Sequence, residues 1–260
     1  MSATALQPLP VRGPDLAGKV AVIVGSGRDS ISSASALASA GAAVTLAAAD
    51  ESALKDAERA IRGAGGRALA IHTDVTEPQA LGRLVEATVG AFGRLDVAVN
   101  SPGSVRHAGQ LPGSRCRAVY LAMEYELPAM LRSGGGVVVN SALAPAGSRA
   151  EDAECVIGLT RAAALDHADR DVRINAIAYG PGTPEDFAAA ALWLCSERAD
   201  AVNGAAVPVG LRPAAVSAPA TPPSPAARAR TRRRARRAGP GRGRPASPSP
   251  GSRGSWLWPG

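Results

Sequence analysis

Apolar and polar positions alternate along this chain in blocks. Short runs of small and β-branched apolar residues fall at residues 20–24, 43–47, 68–73, 95–100, 136–140, 172–178 and 205–209. Each is of strand length, and near-continuous apolarity marks a strand buried on both faces of a parallel sheet. Between the runs, amphipathic stretches predict helices over residues 32–39, 51–63, 78–92, 119–131, 153–167 and 184–196. Asp50 and Thr76 stand at N-cap positions, and Gln79 completes a Thr-x-x-Gln box with Thr76. This regular alternation predicts an α/β fold: one doubly wound parallel sheet of about seven strands, with its ligand crevice at the carboxyl ends of the strands.

With 260 residues, 46% of them hydrophobic, the chain can bury one sizeable core. No run approaches the ~20 apolar residues of a membrane span. Residues 1–15 carry Pro8, Pro10 and Pro14 without the apolar core of a signal peptide, and read as a flexible lead-in. The net charge of +7 is unevenly placed: residues 213–260 hold ten arginines and no acid, leaving 19 basic against 22 acidic residues before them. The preceding part is therefore mildly acidic. Residues 217–260, rich in Arg, Pro, Ala, Gly and Ser, are too poor in apolar side chains to fold and are expected to be disordered. Three readings fit such a tail. It is a nucleic-acid arm working through phosphate contacts, a localisation signal around residues 232–237, or the residue mix that GC-rich DNA encodes when read out of frame or past a lost stop. The last is the plainest. Cys116, Cys155 and Cys195 lack the clustering of a zinc site, so no metal is expected and the three read as small core residues. Reduced cysteines and the lack of a targeting segment make a cytoplasmic location the expectation.

Candidate chemistry begins at residues 16–34, LAGKVAVIVGSGRDSISSA, where an apolar run passes through a glycine turn into a small-residue helix. Gly25 lets the backbone turn tightly. Backbone N–H groups opening the helix then face an anion, which the helix dipole favours. Such an arrangement suits a dinucleotide pyrophosphate.

Seven segments in register, LAGKVAVIVGSGR, GAAVTLAAADESAL, GGRALAIHTDVT, FGRLDVAVNSPG, YELPAMLRSGGGVVVNSA, VRINAIAYGPG and AAALWLCSERADAVNGAAVPV, make residues 16–216 resemble the short-chain dehydrogenase/reductase family. The resemblance implies a Rossmann-like domain holding NAD or NADP across the strand ends, and a small carbonyl or alcohol substrate of unknown identity. It also implies a homo-oligomer, a tetramer built through residues 119–131 and 153–167. Carried over by the resemblance, Gly25 opens the pyrophosphate loop and Ile31 covers the nicotinamide side. Asp74 and Val75 contact the adenine. Asn100 steadies the central sheet, and Gly103 is the glycine of the Asn-Asn-Ala-Gly motif, whose middle residues are here Ser101 and Pro102.

The chain also departs from the family. Val24 replaces the threonine of Thr-Gly-x-x-x-Gly-x-Gly, the loop is one residue longer, and Ser30 and Ser32 flank Ile31 where glycines belong. A side chain held in the left-handed region costs about 1–2 kcal/mol, so weak cofactor affinity is expected. A divergent enoyl-reductase branch of the family has a longer loop with Ser-Ile at this place. After the second strand, Ala47, Ala48 and Ala49 supply neither the acid that selects NAD nor the arginine that selects NADP, and Asp50 comes two places late. Both cofactors stay open.

The family's proton donor is a tyrosine followed four residues on by a lysine. Here the two lysines are Lys19 and Lys55, and Tyr120, Tyr125 and Tyr179 are followed at that spacing by Glu124, Ala129 and Thr183. Alignment puts Arg149 and Ala153 at the tyrosine and lysine, Leu143 at the serine and Arg115 at the relay asparagine, with Ser141 an alternative serine. Segments near residues 104–118 and after residue 182 are short against the family, as if deleted. His72, His107 and His167 show no catalytic grouping, while Met123 and Tyr125 read as core or interface residues and Trp193 as a core residue. The expectation is a catalytically impaired or inactive relative of an NAD(P)-dependent oxidoreductase. Two alternatives stand: an active oxidoreductase that uses Ser141, Arg149 or Arg115 on an oxyanion, and a scaffold or nucleic-acid role through the basic tail.

Overall fold

The first apolar run, Val20–Val24 (β1), is buried along its whole length, and its alternate residues enter two different cores. The computed structural model describes residues 15–25, 27–102, 113–143, 150–180 and 182–210. After β1 the chain forms Arg28–Ser39 (α1), Ala43–Ala48 (β2), Glu51–Gly63 (α2), Arg67–His72 (β3), Pro78–Phe92 (α3) and Val97–Asn100 (β4). Ser114–Arg132 (α4), Gly136–Leu143 (β5), Ala150–Asp166 (α5), Val172–Tyr179 (β6), Pro184–Leu194 (α6) and Ala206–Val209 (β7) follow. The strands make one parallel sheet in the order β3-β2-β1-β4-β5-β6-β7. One core packs α3, α4 and α5 on the sheet through Leu84, Val119, Met130 and Ile174. The other packs α1, α2 and α6 through Leu37, Leu54 and Phe187.

Helices α2 and α3 have the predicted bounds, because each repeats apolar residues at helical spacing (Leu54, Ala57 and Ile61 in α2) and has a defined start. Asp50 caps α2, accepting from the Ala53 N–H at 3.0 Å. Thr76 does not cap α3. Pro78, with its fixed φ, opens the helix after Glu77. The Thr76 N–H and hydroxyl both donate instead to the Asp74 carboxylate, at 2.9 and 2.6 Å. Helix α1 begins four residues before its predicted start, and α4 begins at Ser114 after the left-handed Gly113. Strand β5 runs three residues past Asn140 because its ladder with β6 continues to the Leu143–Tyr179 pair.

Two of the three cysteines are not separate core residues. Cys116 in α4 and Cys155 in α5 form a disulfide with a Cα–Cα distance of 5.9 Å, and only Cys195 is a free, buried thiol among the described residues. Their separation of 39 residues hides the pairing in the sequence; the packing of α4 against α5 creates it. The bond also removes cysteine usage as a reason to expect a reducing compartment. Trp193 is 38% exposed rather than a core residue. Gly103, Arg149, His107, the lead-in before residue 15 and the tail over residues 217–260 lie outside the described residues. No helix among the described residues is long and apolar enough to cross a membrane.

Candidate functional site

Strand order reverses between β1 and β4, and in a doubly wound sheet that reversal opens the crevice above the strand ends. Gly25 leaves β1 there, donating its N–H to the Ala47 carbonyl at 2.8 Å, while the Ser101 N–H reaches the Val24 carbonyl at 2.9 Å. Gly25 has φ +134°, and a Cβ on it would strike the Ser101 carbonyl and come within 2.7 Å of the Ser30 hydroxyl. Glycine is thus required twice, by conformation and by space. Helix α1 opens beyond it at Gly27 with no side-chain cap, so its first N–H groups lack a capping acceptor at that position.

Ser30 and Ser32 are not strained. Among the described residues no non-glycine has a positive φ, because α1 starts at Arg28 and both serines are already helical. The Ser30 side chain is fully buried, and its hydroxyl has no hydrogen-bond partner among the described residues. Ile31 is half-buried against the α1–α6 core. Beside them lies a residue that sequence reasoning passed over. Asp29, in the first turn of α1, accepts a hydrogen bond from the Ser101 hydroxyl at the end of β4. Its only sequence signal is an acid near a helix start, which many helices have.

The turn after β3 carries Asp74 and Val75 at the same carboxyl end of the sheet. Asp74 is exposed and organises the turn through Thr76, while Val75 packs on the α3–α5 core. Past β2, Ala48 is buried, Ala49 exposed, and the Asp50 carboxylate is engaged in capping α2.

Asn100 ends β4 fully buried, donating to Glu126 Oε2 of α4 at 2.9 Å and to Asn140 Oδ1 of β5 at 3.2 Å. Asn140 in turn donates to Thr160 of α5 at 3.1 Å. Glu126 is 1% exposed, and burial, partly offset by the Asn100 hydrogen bond, raises its pKa to about 7. Glu126 Oε1 and Asn100 Oδ1 find no donor among the described residues.

At the end of β5 the Ser141 hydroxyl is buried without a partner among the described residues, the Leu143 carbonyl accepts from Arg115 Nη1 at 3.0 Å, and Ala153 is buried in α5. Asp152 accepts from the Gly113 N–H at 2.7 Å, so this bond and the Cys116–Cys155 disulfide tie the starts of α4 and α5 together. Tyr179 ends β6, donating to the Gly182 carbonyl at 2.8 Å and meeting the Phe187 ring edge-on at 5.3 Å. Its phenol pKa is raised, first by burial and then by the carboxylates of Asp29, Asp186 and Glu185. These acids therefore gather on the α1–α6 side of the crevice.

A cavity of about 540 Å³ lies at the opposite, amino ends of the strands. There Arg94 grips Asp96 in a bidentate pair at 2.8 and 2.6 Å, and Asp96 also accepts from the Val20 N–H at 2.9 Å. Those contacts tie β1 and β4 together below the sheet, and none of the residues singled out for chemistry lines the cavity. Among the described residues no three His, Cys, Asp or Glu side chains cluster to hold a metal.

Residues 30–182 match the family described as enoyl-(acyl carrier protein) reductase. A short-chain dehydrogenase/reductase of Aspergillus oryzae, astE, is 31% identical over 245 residues, covering 75% of this chain and 94% of that protein. An A-factor type γ-butyrolactone 1′-reductase of Streptomyces virginiae is 33% identical over 220 residues, covering 65% and 84%. In structure, a 7α-hydroxysteroid dehydrogenase solved with NADH and 7-oxo glycochenodeoxycholic acid superposes with a TM-score of 0.65 and 26% identity over 75% of this chain and 94% of that one. A seven-stranded parallel sheet with a glycine turn at its point of reversal, and relatives that align along nearly their whole length, lead to one conclusion: the chain belongs to the short-chain dehydrogenase/reductase family.

Proposed function

We propose that this chain is a nicotinamide-dinucleotide-binding protein descended from an oxidoreductase of alcohols and carbonyls, and that ordinary family catalysis is impaired in it. The dinucleotide, when bound, supplies or takes up the hydride. Gly25, the buried Ser30 hydroxyl and the uncapped start of α1 hold the pyrophosphate, Asp74 and Val75 the adenine, and Ile31 the nicotinamide side, while Asn100 stiffens the sheet behind them. One observation carries the binding half: a glycine turn that admits no Cβ, followed at the helix start by a buried hydroxyl with no partner among the described residues. At the end of β2, Ala48 and Ala49 carry no charge and the Asp50 carboxylate is engaged in capping α2, so nothing there selects NAD over NADP or the reverse.

What supports impairment is the chemistry at the end of β5. A hydride transferred to a carbonyl needs a proton for the resulting oxyanion, and a positioned general acid is worth about 10²–10⁴ in rate. The places the family gives to tyrosine, lysine, serine and asparagine hold Arg149, the buried Ala153, Leu143 and an Arg115 whose guanidinium serves the Leu143 carbonyl. Fluorescence titration with NADH and NADPH, together with turnover of simple ketones, tests both halves. Binding without turnover is expected; ketone reduction at ordinary family rates would refute impairment. The buried Ser141 hydroxyl, without a partner among the described residues, favours one second reading, an active enzyme with a displaced serine, and Ser141→Ala would then abolish turnover while leaving the fold intact. Self-association through α4 and α5 belongs to the same proposal, and Tyr120 and Leu165 stand exposed on those helices.

A further inference from the structure

Resting on the dinucleotide reading above, we propose that the Asp29 carboxylate is an internal anion placed in the pyrophosphate seat, and that it sets a low affinity for the dinucleotide. Three independent observations converge on it. First, Asp29 belongs to α1 while its hydrogen-bond donor, Ser101, follows β4, so the contact spans the place where strand order reverses. A Cβ at Gly27 would run into the same carboxylate, which therefore lies folded back over the uncapped start of α1. An anion there is stabilised by the helix dipole whether it belongs to a ligand or to the chain. Second, the neighbouring Ser30 hydroxyl is fully buried, directly under Gly25, without a partner among the described residues. Third, Glu185 and Asp186 of α6 act with Asp29 on the Tyr179 phenol, and the Ser32 hydroxyl reaches Glu185 at 3.5 Å. The lip of the crevice is thus acidic, with the exposed Arg28 the neighbouring cation on α1.

A pyrophosphate brought to this seat meets a carboxylate a few ångströms away. Like charges at that separation in a partly buried site change an affinity by about tenfold to a hundredfold. Asp29→Asn keeps the shape and an acceptor for Ser101 but removes the charge. Its affinity for NADH, NADPH and ADP-ribose is expected to rise at least about tenfold, equally for all three because they share the pyrophosphate, and to stay unchanged for adenosine, which lacks it. Asp29→Ser, which also removes the charge, is expected to do the same; thermal melting by circular dichroism establishes that each variant folds. Titration of wild type and both variants with the four probes gives the answer. Wild-type binding that the variants leave equal or weaken overturns the inference and leaves the dinucleotide reading standing, as does a gain for adenosine equal to that for NADH. Failure of all three proteins to bind NADH, NADPH or ADP-ribose overturns both.

Discussion

Glu126 makes stability depend on pH in a direction opposite to that of most carboxylates. Its side chain is buried between α4 and the sheet, with one hydrogen bond from Asn100 and no counter-ion among its hydrogen-bond contacts. Burial raises its pKa from 4.5 to about 7. The folded state therefore holds a proton that the unfolded chain releases between these two values, and stability falls as pH rises through that window before levelling off above it. A gap of this size is worth about 3 kcal/mol, a large share of the 5–15 kcal/mol that holds a typical domain together. Glu126→Gln keeps the shape and an acceptor for Asn100 yet never ionises. Urea unfolding of both proteins across pH 4.5–8 isolates the effect, because other titrating groups cancel in the difference. Wild type should lose about 3 kcal/mol relative to the glutamine variant across the window, leaving the variant the more stable protein at the alkaline end. Parallel curves would refute the reasoning, since they would mean that the buried carboxyl is already ionised or reaches water.

Reduction of the Cys116–Cys155 bridge frees a loop of 39 residues and should lower stability by about 3–4 kcal/mol, read as a shift of the urea midpoint with and without dithiothreitol. A Cys116→Ser, Cys155→Ser double variant should be insensitive to the reductant. Phe187→Ala removes a ring that is fully buried and should cost about 3–5 kcal/mol in the same assay. Thr183→Ala breaks the reciprocal cap with Asp186 and should cost about 1 kcal/mol, seen as a small drop in melting temperature. Gly25→Ala places a methyl against the Ser101 carbonyl and should weaken both folding and NADH binding; unchanged values for both would show the turn to be free to move.

The sheet was legible because every strand is an apolar run with a turn on either side, and because register in a buried parallel sheet follows that apolarity. Helix starts were less so. Gly27 and Gly113 begin α1 and α4 by backbone conformation alone, without the capping side chain that marks α2. At the site, Gly25 could be picked out since only glycine fits its φ, whereas Asp29 could not. Its importance comes from Ser101, which is 72 positions away and meets it only once β1 and β4 are paired. The disulfide and the Glu126–Asn100–Asn140 network were hidden for the same reason: each is a contact between elements remote in sequence.

Residues 180–183 alone join β6 to α6, and both ends of this junction are held: the Gly180 N–H by the Val209 carbonyl, the Gly182 carbonyl by Tyr179, and Thr183 by Asp186. Two anchored ends make a favourable point for lengthening a chain, because loop-closure entropy grows only with the logarithm of length and each doubling adds about 0.6 kcal/mol. An insertion between Gly182 and Thr183 would project over the strand ends while the flanking strand and helix kept their contacts. What this scaffold admits to its crevice can therefore be rewritten by adding residues at one joint, with the core left untouched.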